Sequence, residues 1–306
     1  MPIEAMPERR LDRMNIAVLC AQVAGWAVCL AAAPRLSDTI WLPAVIIFFC
    51  LMMQGVFSMM HECFHGHAHR SGAVNSLMCW LATTVFGASA TLIRINHLGH
   101  HVRNRTRAEL VDYIESDESA LQKIVSYYFA ILGGIWLASF LGSLILALMP
   151  ARAVDRLSAK ADTNTYAAAF ADFKPEDFRK IRYEVLAGVL WWAGAFWLLD
   201  LQLAYVLLFY AAFAFSWSSL QWIYHVRTPL DVVEGTYNLR APFPVRALFL
   251  NFNYNLTHHR DPGLRWQYMH DATNLRETRP LWFSWLAILK PPTPMPKDGV
   301  IEKSYF

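Results

Sequence analysis

Histidine is the residue type whose spacing suggests chemistry in this chain of 306 residues. His61 and His65 are four residues apart, so a helix would present both on one face. Two further clusters follow an i, i+3, i+4 pattern, which again defines one helical face. These clusters are His97, His100 and His101, and Asn255, His258 and His259. Each cluster could offer two or three side chains to one point.

Clustered imidazoles indicate a transition-metal site. Neutral histidine is a usual ligand of iron, copper and zinc, whereas sites made only of oxygen suit magnesium and calcium. Eight or so nitrogens exceed what one tetrahedral zinc ion can use. Two redox metals fit the count better. Two iron ions held mainly by imidazoles, with open positions, could activate O2 for removal of hydrogen from a methylene group.

A metal-handling membrane transporter is the alternative from a different functional class. Ionisable groups at membrane depth often mark transport routes. Transporter sites usually lie near the bilayer midplane, however. The histidine clusters stand at the ends of apolar tracts and in polar segments, which favours the enzyme.

Apolar tracts must position these clusters, since 56% of the residues are hydrophobic. Tracts of about 20 uncharged residues are long enough to cross a bilayer. Residues 14–33 and 41–60 are such tracts, and the first lacks a small-residue cleavage site, so it is predicted to be retained. Residues 184–199 and 201–222 predict a helical hairpin that turns at Asp200. We therefore predict a single membrane domain over residues 1–306.

The orientation follows from the basic residues. Arg9, Arg10 and Arg13 precede the first span and place the N-terminus in the cytoplasm. The second span then ends in the His61 cluster at the cytoplasmic face. If all clusters serve one site, residues 73–93 and 124–149 are embedded without crossing. Six spans, with 124–149 crossing and another segment compensating, is the alternative topology.

Composition and missing motifs exclude several classes. The net charge of +3, with scattered Lys and Arg, does not indicate a nucleic-acid partner. The five cysteines have no C-x-x-C spacing, so neither a disulfide framework nor a zinc ribbon is predicted. No haem, iron–sulfur or dinucleotide motif is present. Electrons must therefore come from an external donor. The basic residues Arg103, Arg105 and Arg107 could dock such a donor, although anionic lipid headgroups would explain them as well.

The histidine clusters resemble the three histidine boxes of the membrane fatty acid desaturase and hydroxylase superfamily. The matching segments are His61-Glu62-Cys63-Phe64-His65, His97-Leu98-Gly99-His100-His101 and Asn255-Leu256-Thr257-His258-His259. The resemblance covers roughly residues 40–270 and includes 231–240 and 251–254, which look like the stretch before the third box of bacterial members. It implies an all-α integral membrane fold, with about four transmembrane helices under a cytosolic helical cap that holds a di-iron site.

The resemblance also implies a ligand set. His225, at the end of the last span, matches a further histidine ligand of the family. Asn255 stands where the third box normally begins with histidine, and its amide oxygen could ligate weakly or through water. The predicted metal ligands are His61, His65, His97, His100, His101, His225, His258, His259 and Asn255.

Three further residues are predicted to support these ligands from nearby. Gln221 lies one turn before His225, where some desaturases use an asparagine to hold a metal-bound water. Glu62 and His67 are predicted to hydrogen-bond or orient ligand imidazoles. His270 has no partner at ligand spacing and is interpreted as a surface residue.

The functional prediction is an O2-dependent di-iron oxidoreductase that acts on a C–H bond of a lipid-like substrate, with fatty acyl desaturation as the reaction. Hydroxylation or ketolation on the same scaffold is the alternative reaction. The expected cofactors are two Fe ions with O2 as cosubstrate. The expected partners are a lipid or acyl substrate, the membrane, and a ferredoxin, rubredoxin or cytochrome b5-type donor. The expected location is the bacterial inner membrane, with the active site on the cytoplasmic side.

Overall fold

Two long helices begin the fold in a computed structural model, which describes residues 6–150, 153 and 172–296. Helix α1 is Glu8–Ala32 and helix α2 is Trp41–Phe64, and the 3-10 turn Ala33–Leu36 lies between them. A connection this short makes neighbouring helices antiparallel. Trp26 of α1 is buried and donates from its indole nitrogen to the Tyr210 hydroxyl, 2.9 Å away. Apolar packing around Trp26 thus joins the first helix to the last long one.

The next two helices form a sharp bend. Helix α3 is Gly72–Phe86 and helix α4 is Ala90–Arg103, and their axes differ by 97°. Gly87 ends α3 with φ of +95°, a conformation that residues with a Cβ rarely adopt. Ser89 caps α4 by accepting from the Leu92 amide. This bent pair is the shape that a re-entrant segment requires.

A second bent segment follows. It consists of helix α5, Ala120–Phe129, the π-helical turn Ala130–Gly134, and helix α6, Ile135–Leu148. Gly133 has φ of +122°, so the helical path breaks at this residue. The break packs against the last long helix, where a Cβ on Gly133 would lie 3.5 Å from the Ala214 backbone carbon.

The hairpin predicted over residues 184–222 is present. Helix α7 is Pro175–Leu199 and helix α8 is Leu203–Ile223. Asp200 ends α7 in the left-handed region, with φ of +49°. The predicted turn at Asp200 is therefore confirmed, although α7 begins nine residues before the predicted apolar tract.

The remaining chain, residues 224–296, is named the C-terminal cap. It contains the short helices α9 (Phe243–Leu248), α10 (Asn255–Arg260), α11 (Trp266–Ala272) and α12 (Leu281–Ala287), and the 3-10 turn Leu275–Glu277. Its strands form two parallel pairs, β2 (Leu239–Arg240) with β3 (Arg279–Pro280), and β4 (Thr293–Pro294) with β1 (Tyr113–Ile114). The start of α1 is tied to the cap, because Arg265 donates to Glu8 across 2.8 Å.

The fold is all-α apart from these two-residue strands, as predicted. Within the described residues, four helical runs are long and apolar enough to cross a membrane, or five if the bent pair α3–α4 counts as one span. The four are Glu8–Leu36, Trp41–Phe64, Ala120–Leu148 and Leu203–Ile223. Three of them overlap predicted spans, namely 14–33, 41–60 and 201–222. The fourth, Ala120–Leu148, holds the segment predicted to be embedded, while the predicted span 184–199 lies in α7, outside this set. Which segments cross, and on which side the cap lies, stay predictions.

Candidate metal centre

Four separate elements bring the histidines together. They are the end of α2, helix α4, the segment directly after α8 that holds His225, and the short helix α10 of the cap. Eight histidines fall into two groups, and in each group the potential ligand atoms all lie within 4.8 Å of one another. The larger group is His61, His65, His97, His101 and His258, and the smaller group is His100, His225 and His259.

In the five-histidine group, the Nε2 atoms of neighbouring rings lie close to one another. The Nε2 atoms of His61 and His258 are 2.8 Å apart, and those of His65 and His97 are 3.0 Å apart. His101 Nε2 lies 3.1 Å from His97 Nε2 and 3.0 Å from His258 Nε2. A metal–nitrogen bond of about 2.1 Å places neighbouring ligand nitrogens about 3 Å apart. The donor atoms of this group therefore fit one metal ion.

In the three-histidine group, two rings have a partner on the Nδ1 nitrogen. The Nδ1 atom of His100 lies 2.5 Å from the Glu109 carboxylate, and His225 Nδ1 lies 3.3 Å from the Gly235 carbonyl oxygen. A partner on Nδ1 fixes the ring and leaves Nε2 as the nitrogen that a metal can use. The ring centroids of His100 and His225 are 4.7 Å apart, and those of His100 and His259 are 5.2 Å apart. These donors also fit a metal ion.

Burial keeps the imidazoles neutral. It lowers the pKa of His258 and of His259 well below the ordinary value, and neighbouring histidines lower both further. For His65, which is half-buried, burial is also the main cause that lowers the pKa to about 4. Neutral imidazole is the form that binds a metal, so these rings need release no proton at neutral pH.

Glu109 is a residue of this site that the sequence patterns missed. Its carboxylate accepts from Arg103 Nε at 3.1 Å as well as facing His100. Arg103 in turn donates to Asp172 across 2.5 Å. The only signal in the sequence is an acidic residue soon after the second cluster, and it has no helical register with His100 because a turn separates them.

The other predicted residues lie near the histidines, with different contacts. The Asn255 side-chain oxygen accepts from the Thr236 hydroxyl at 2.6 Å. The Gln221 side-chain nitrogen is buried with no partner among the described residues. The Glu62 side chain is buried, and its Oε2 atom has no hydrogen-bond partner in the part of the chain that the structure describes. The His67 ring stacks on that of His65 at 5.9 Å.

Two basic residues considered for donor docking are not available for it. Arg103 and Arg105 are each 2% exposed, and Arg105 forms an ion pair with Asp112 at 2.6 Å. Burying a guanidinium is stable only with such a partner. Of the three, Arg107 alone is exposed, and it pairs with Asp117. The interpretation of Arg103 and Arg105 as a docking surface was therefore wrong. His270, which was interpreted as a surface residue, contacts Arg246 and the Tyr254 hydroxyl.

Comparison with known proteins decides the family. The family model described as "Fatty acid desaturase" matches residues 39–284, which include all three clusters and His225. The chain belongs to the fatty acid desaturase family. No curated protein matches it. The resemblance drawn from the histidine boxes is thereby confirmed.

Membership in the fatty acid desaturase family sets the class of the molecule. The chain is an integral membrane protein, as its long apolar helices and its family indicate. The enzymes of the family are oxidoreductases of the desaturase and hydroxylase type. The two histidine groups are compatible with the metal use of the family.

Proposed function

We propose that the protein is an O2-dependent di-iron oxidoreductase that removes hydrogen from a C–H bond of a lipid-like substrate, with fatty acyl desaturation as the reaction. The observation that carries this proposal is the convergence of eight histidines from four elements into two adjoining groups. His61, His65, His97, His101 and His258 would hold one iron ion, and His100, His225 and His259 the other. When bound, the iron ions would supply the redox chemistry that activates O2.

The protein itself fixes the positions of the imidazole nitrogens and excludes water from them. His61, His225, His258 and His259 are buried. The Phe252 ring packs edge-on against the His61 ring, with centroids 5.1 Å apart, and the Tyr224 ring packs edge-on against that of Phe252, with centroids 5.7 Å apart. Excluding water from such a site strengthens its electrostatic interactions and limits side reactions. Glu109 and Gly235 fix the rings of His100 and His225, so the donors are set before a metal binds.

An apolar cavity supports a lipid chain as part of the substrate. It has a volume of about 950 Å³ and lies between the α3–α4 bend, the α5–α6 segment and the α7–α8 hairpin. Trp136, Trp192 and Phe196 are on its wall. Glu184 is also on the wall, and its carboxylate accepts from the Ser89 hydroxyl and from the amide and hydroxyl of Thr91, at the start of α4.

The cavity stands beside the helix that carries the second cluster. His97 follows Ala90 by seven residues, which is about 10 Å along a helix. The described histidines are not on the cavity wall. We therefore propose that the cavity holds the part of the substrate chain remote from the reacting bond.

Filling the cavity tests this placement. Gly188 lies on its wall, and a Cβ there would meet only the Thr84 side chain, at 3.9 Å. Gly188→Phe should therefore lower turnover of long acyl substrates more than of short ones. Gly194→Phe is the matched control, because Gly194 is on the same helix and a Cβ there has open space. Equal loss with both variants would remove the cavity from the proposal.

The substrate and product are tested in a host membrane. Expression of the wild-type chain together with a ferredoxin, rubredoxin or cytochrome b5-type donor should yield a new unsaturated or oxygenated lipid that forms only with O2. His258→Ala should abolish that product while the protein stays inserted in the membrane. Continued product formation by His258→Ala would refute the proposed site. Absence of any O2-dependent product from the wild-type chain would refute the proposed reaction. On this proposal, the site faces the cytoplasm of a bacterial inner membrane.

A further inference from the structure

The two histidine groups are unequal. One contains five histidines and the other three, although both lie between the same elements. Helix α4 contributes to both, since His97 and His101 belong to the larger group and His100 to the smaller. Helix α10 does the same with His258 and His259. Helix α4 thus gives two donors to the larger group and one to the smaller, whereas helix α10 gives one to each.

Asn255 is the member of the third cluster that offers no imidazole nitrogen. It lies four residues before His259 on α10, so the two side chains share a face of the helix. Its amide oxygen is engaged by the Thr236 hydroxyl at 2.6 Å, and Asn255 is buried. Thr236 directly follows Gly235, whose carbonyl oxygen lies against His225 Nδ1. The Thr236–Asn255 pair thus borders the three-histidine group.

No carboxylate or thiolate of the described chain completes the smaller group. The grouping of potential ligand atoms includes Cys, Asp and Glu, yet only His100, His225 and His259 come together there. The Glu109 carboxylate contacts His100 at Nδ1, on the side of the ring away from the proposed ligand nitrogen, Nε2. Three protein ligands with an open position are the arrangement that lets a metal take an external ligand.

We infer that His100, His225 and His259 form the weaker and more open of two metal positions, and that Asn255, held by Thr236, keeps it open to a small anionic ligand. This inference rests on the proposed di-iron function. A position with fewer anchoring nitrogens releases its metal more readily, and loss of a single supporting contact already changes metal affinity about 10–100-fold. The two metal positions should therefore differ in affinity by at least about tenfold.

The experiment uses the full-length protein in detergent micelles, stripped of metal and titrated with Co2+. Bound metal is counted by elemental analysis, and the d–d absorption of Co2+ reports each coordination environment. Wild type should fill in two separate steps, and a chelator should remove the second ion first. Asn255→His should bring the second step to within a few-fold of the first. His259→Ala should lose the second step and keep the first.

Azide serves as the probe of the open position. It should perturb the Co2+ spectrum of wild type only after the second ion has bound, and should bind Asn255→His at least about tenfold more weakly, since the added imidazole occupies the position. Thr236→Val removes the hydroxyl that donates to the Asn255 side chain. It should change the affinity for azide without changing the binding of the first Co2+ ion. Gln122→His, which adds an imidazole at an exposed site on α5, is the control and should match wild type.

The outcomes separate this inference from the proposed function. Two ions that bind wild type with equal affinity, or an Asn255→His variant identical to wild type in metal and azide binding, would overturn the inference while leaving a di-metal protein. Failure of wild type to bind two ions at all would overturn the proposed function, and the inference with it.

Discussion

At the scale of single residues, the contact between Glu109 and His100 orients one ring of the smaller histidine group. The carboxylate faces Nδ1 of His100 and also accepts from Arg103. A carboxylate behind a histidine ligand fixes the ring orientation and raises the basicity of the other ring nitrogen. Glu109 thereby positions a proposed ligand without touching the metal position itself.

Replacing Glu109 by glutamine should weaken metal binding selectively. Glu109→Gln keeps the size of the side chain but loses the negative charge, so affinity at the three-histidine position should fall about 10–100-fold. Metal retained after a graded chelator challenge measures the effect. Asp117→Asn, in the same loop but exposed and paired with Arg107, should retain metal as wild type does. Equal loss from both variants would show that Glu109 has no specific role.

Histidine spacing predicted which histidines lie close together, but not how they are divided between the two groups. Because successive helical residues point about 100° apart, His100 and His101 cannot both face one point. The structure places them in different groups, and it separates His258 from His259 in the same way. The prediction that each cluster serves one point was too simple. Glu109 was missed because its link to His100 depends on a turn and carries no periodicity.

At the scale of elements, the α5–α6 segment depends on one backbone conformation. Gly133 has φ of +122° and lies against Ala214 of α8. A residue with a Cβ in such a region costs of the order of 1–3 kcal/mol. The bend therefore requires glycine at this position for its conformation, whereas a Cβ there would meet α8 at an ordinary contact distance of 3.5 Å.

Gly133→Ala should destabilise the protein by about 1–3 kcal/mol, because the added methyl is strained in this conformation. Thermal unfolding in detergent is the measurement. Gly142→Ala is the matched control in α6, where a Cβ would meet only Leu92 at an ordinary 3.6 Å. It should leave the melting temperature unchanged or slightly raised. A Gly133→Ala variant as stable as Gly142→Ala would mean that the bend is not fixed at Gly133.

Apolar tracts in the sequence predicted the helices, but nothing in the sequence predicted the buried ion pairs between them. The Asp200 turn follows from a single charged residue in nearly 40 apolar ones, and a shared metal site already required residues 73–93 to return to the same side. The burial of Arg103 and Arg105 could not be read in this way. Their partners are Asp172 and Asp112, and the first of these is 69 residues away in the chain. Only the tertiary fold brings such charges together.

At the scale of the whole molecule, the topology remains to be tested by labelling single cysteines in intact cells. A Cys20→Ala background suits this, because the other four native cysteines are buried. Ser37→Cys and Gln202→Cys should react with a membrane-impermeant maleimide, since both links are predicted to be external. Ser116→Cys and Lys174→Cys, which flank the α5–α6 segment, should react only after permeabilisation. Labelling of the latter pair from opposite sides would support the six-span alternative.

The proposed reaction depends on two iron ions in one histidine-lined centre. The most direct measurement is elemental analysis of the full-length protein, purified without chelators and shown to be folded and monodisperse. Close to two iron ions per chain is the predicted result, falling to one or fewer in His258→Ala. A folded wild-type protein that contains zinc, or no transition metal, would contradict the proposed di-iron centre.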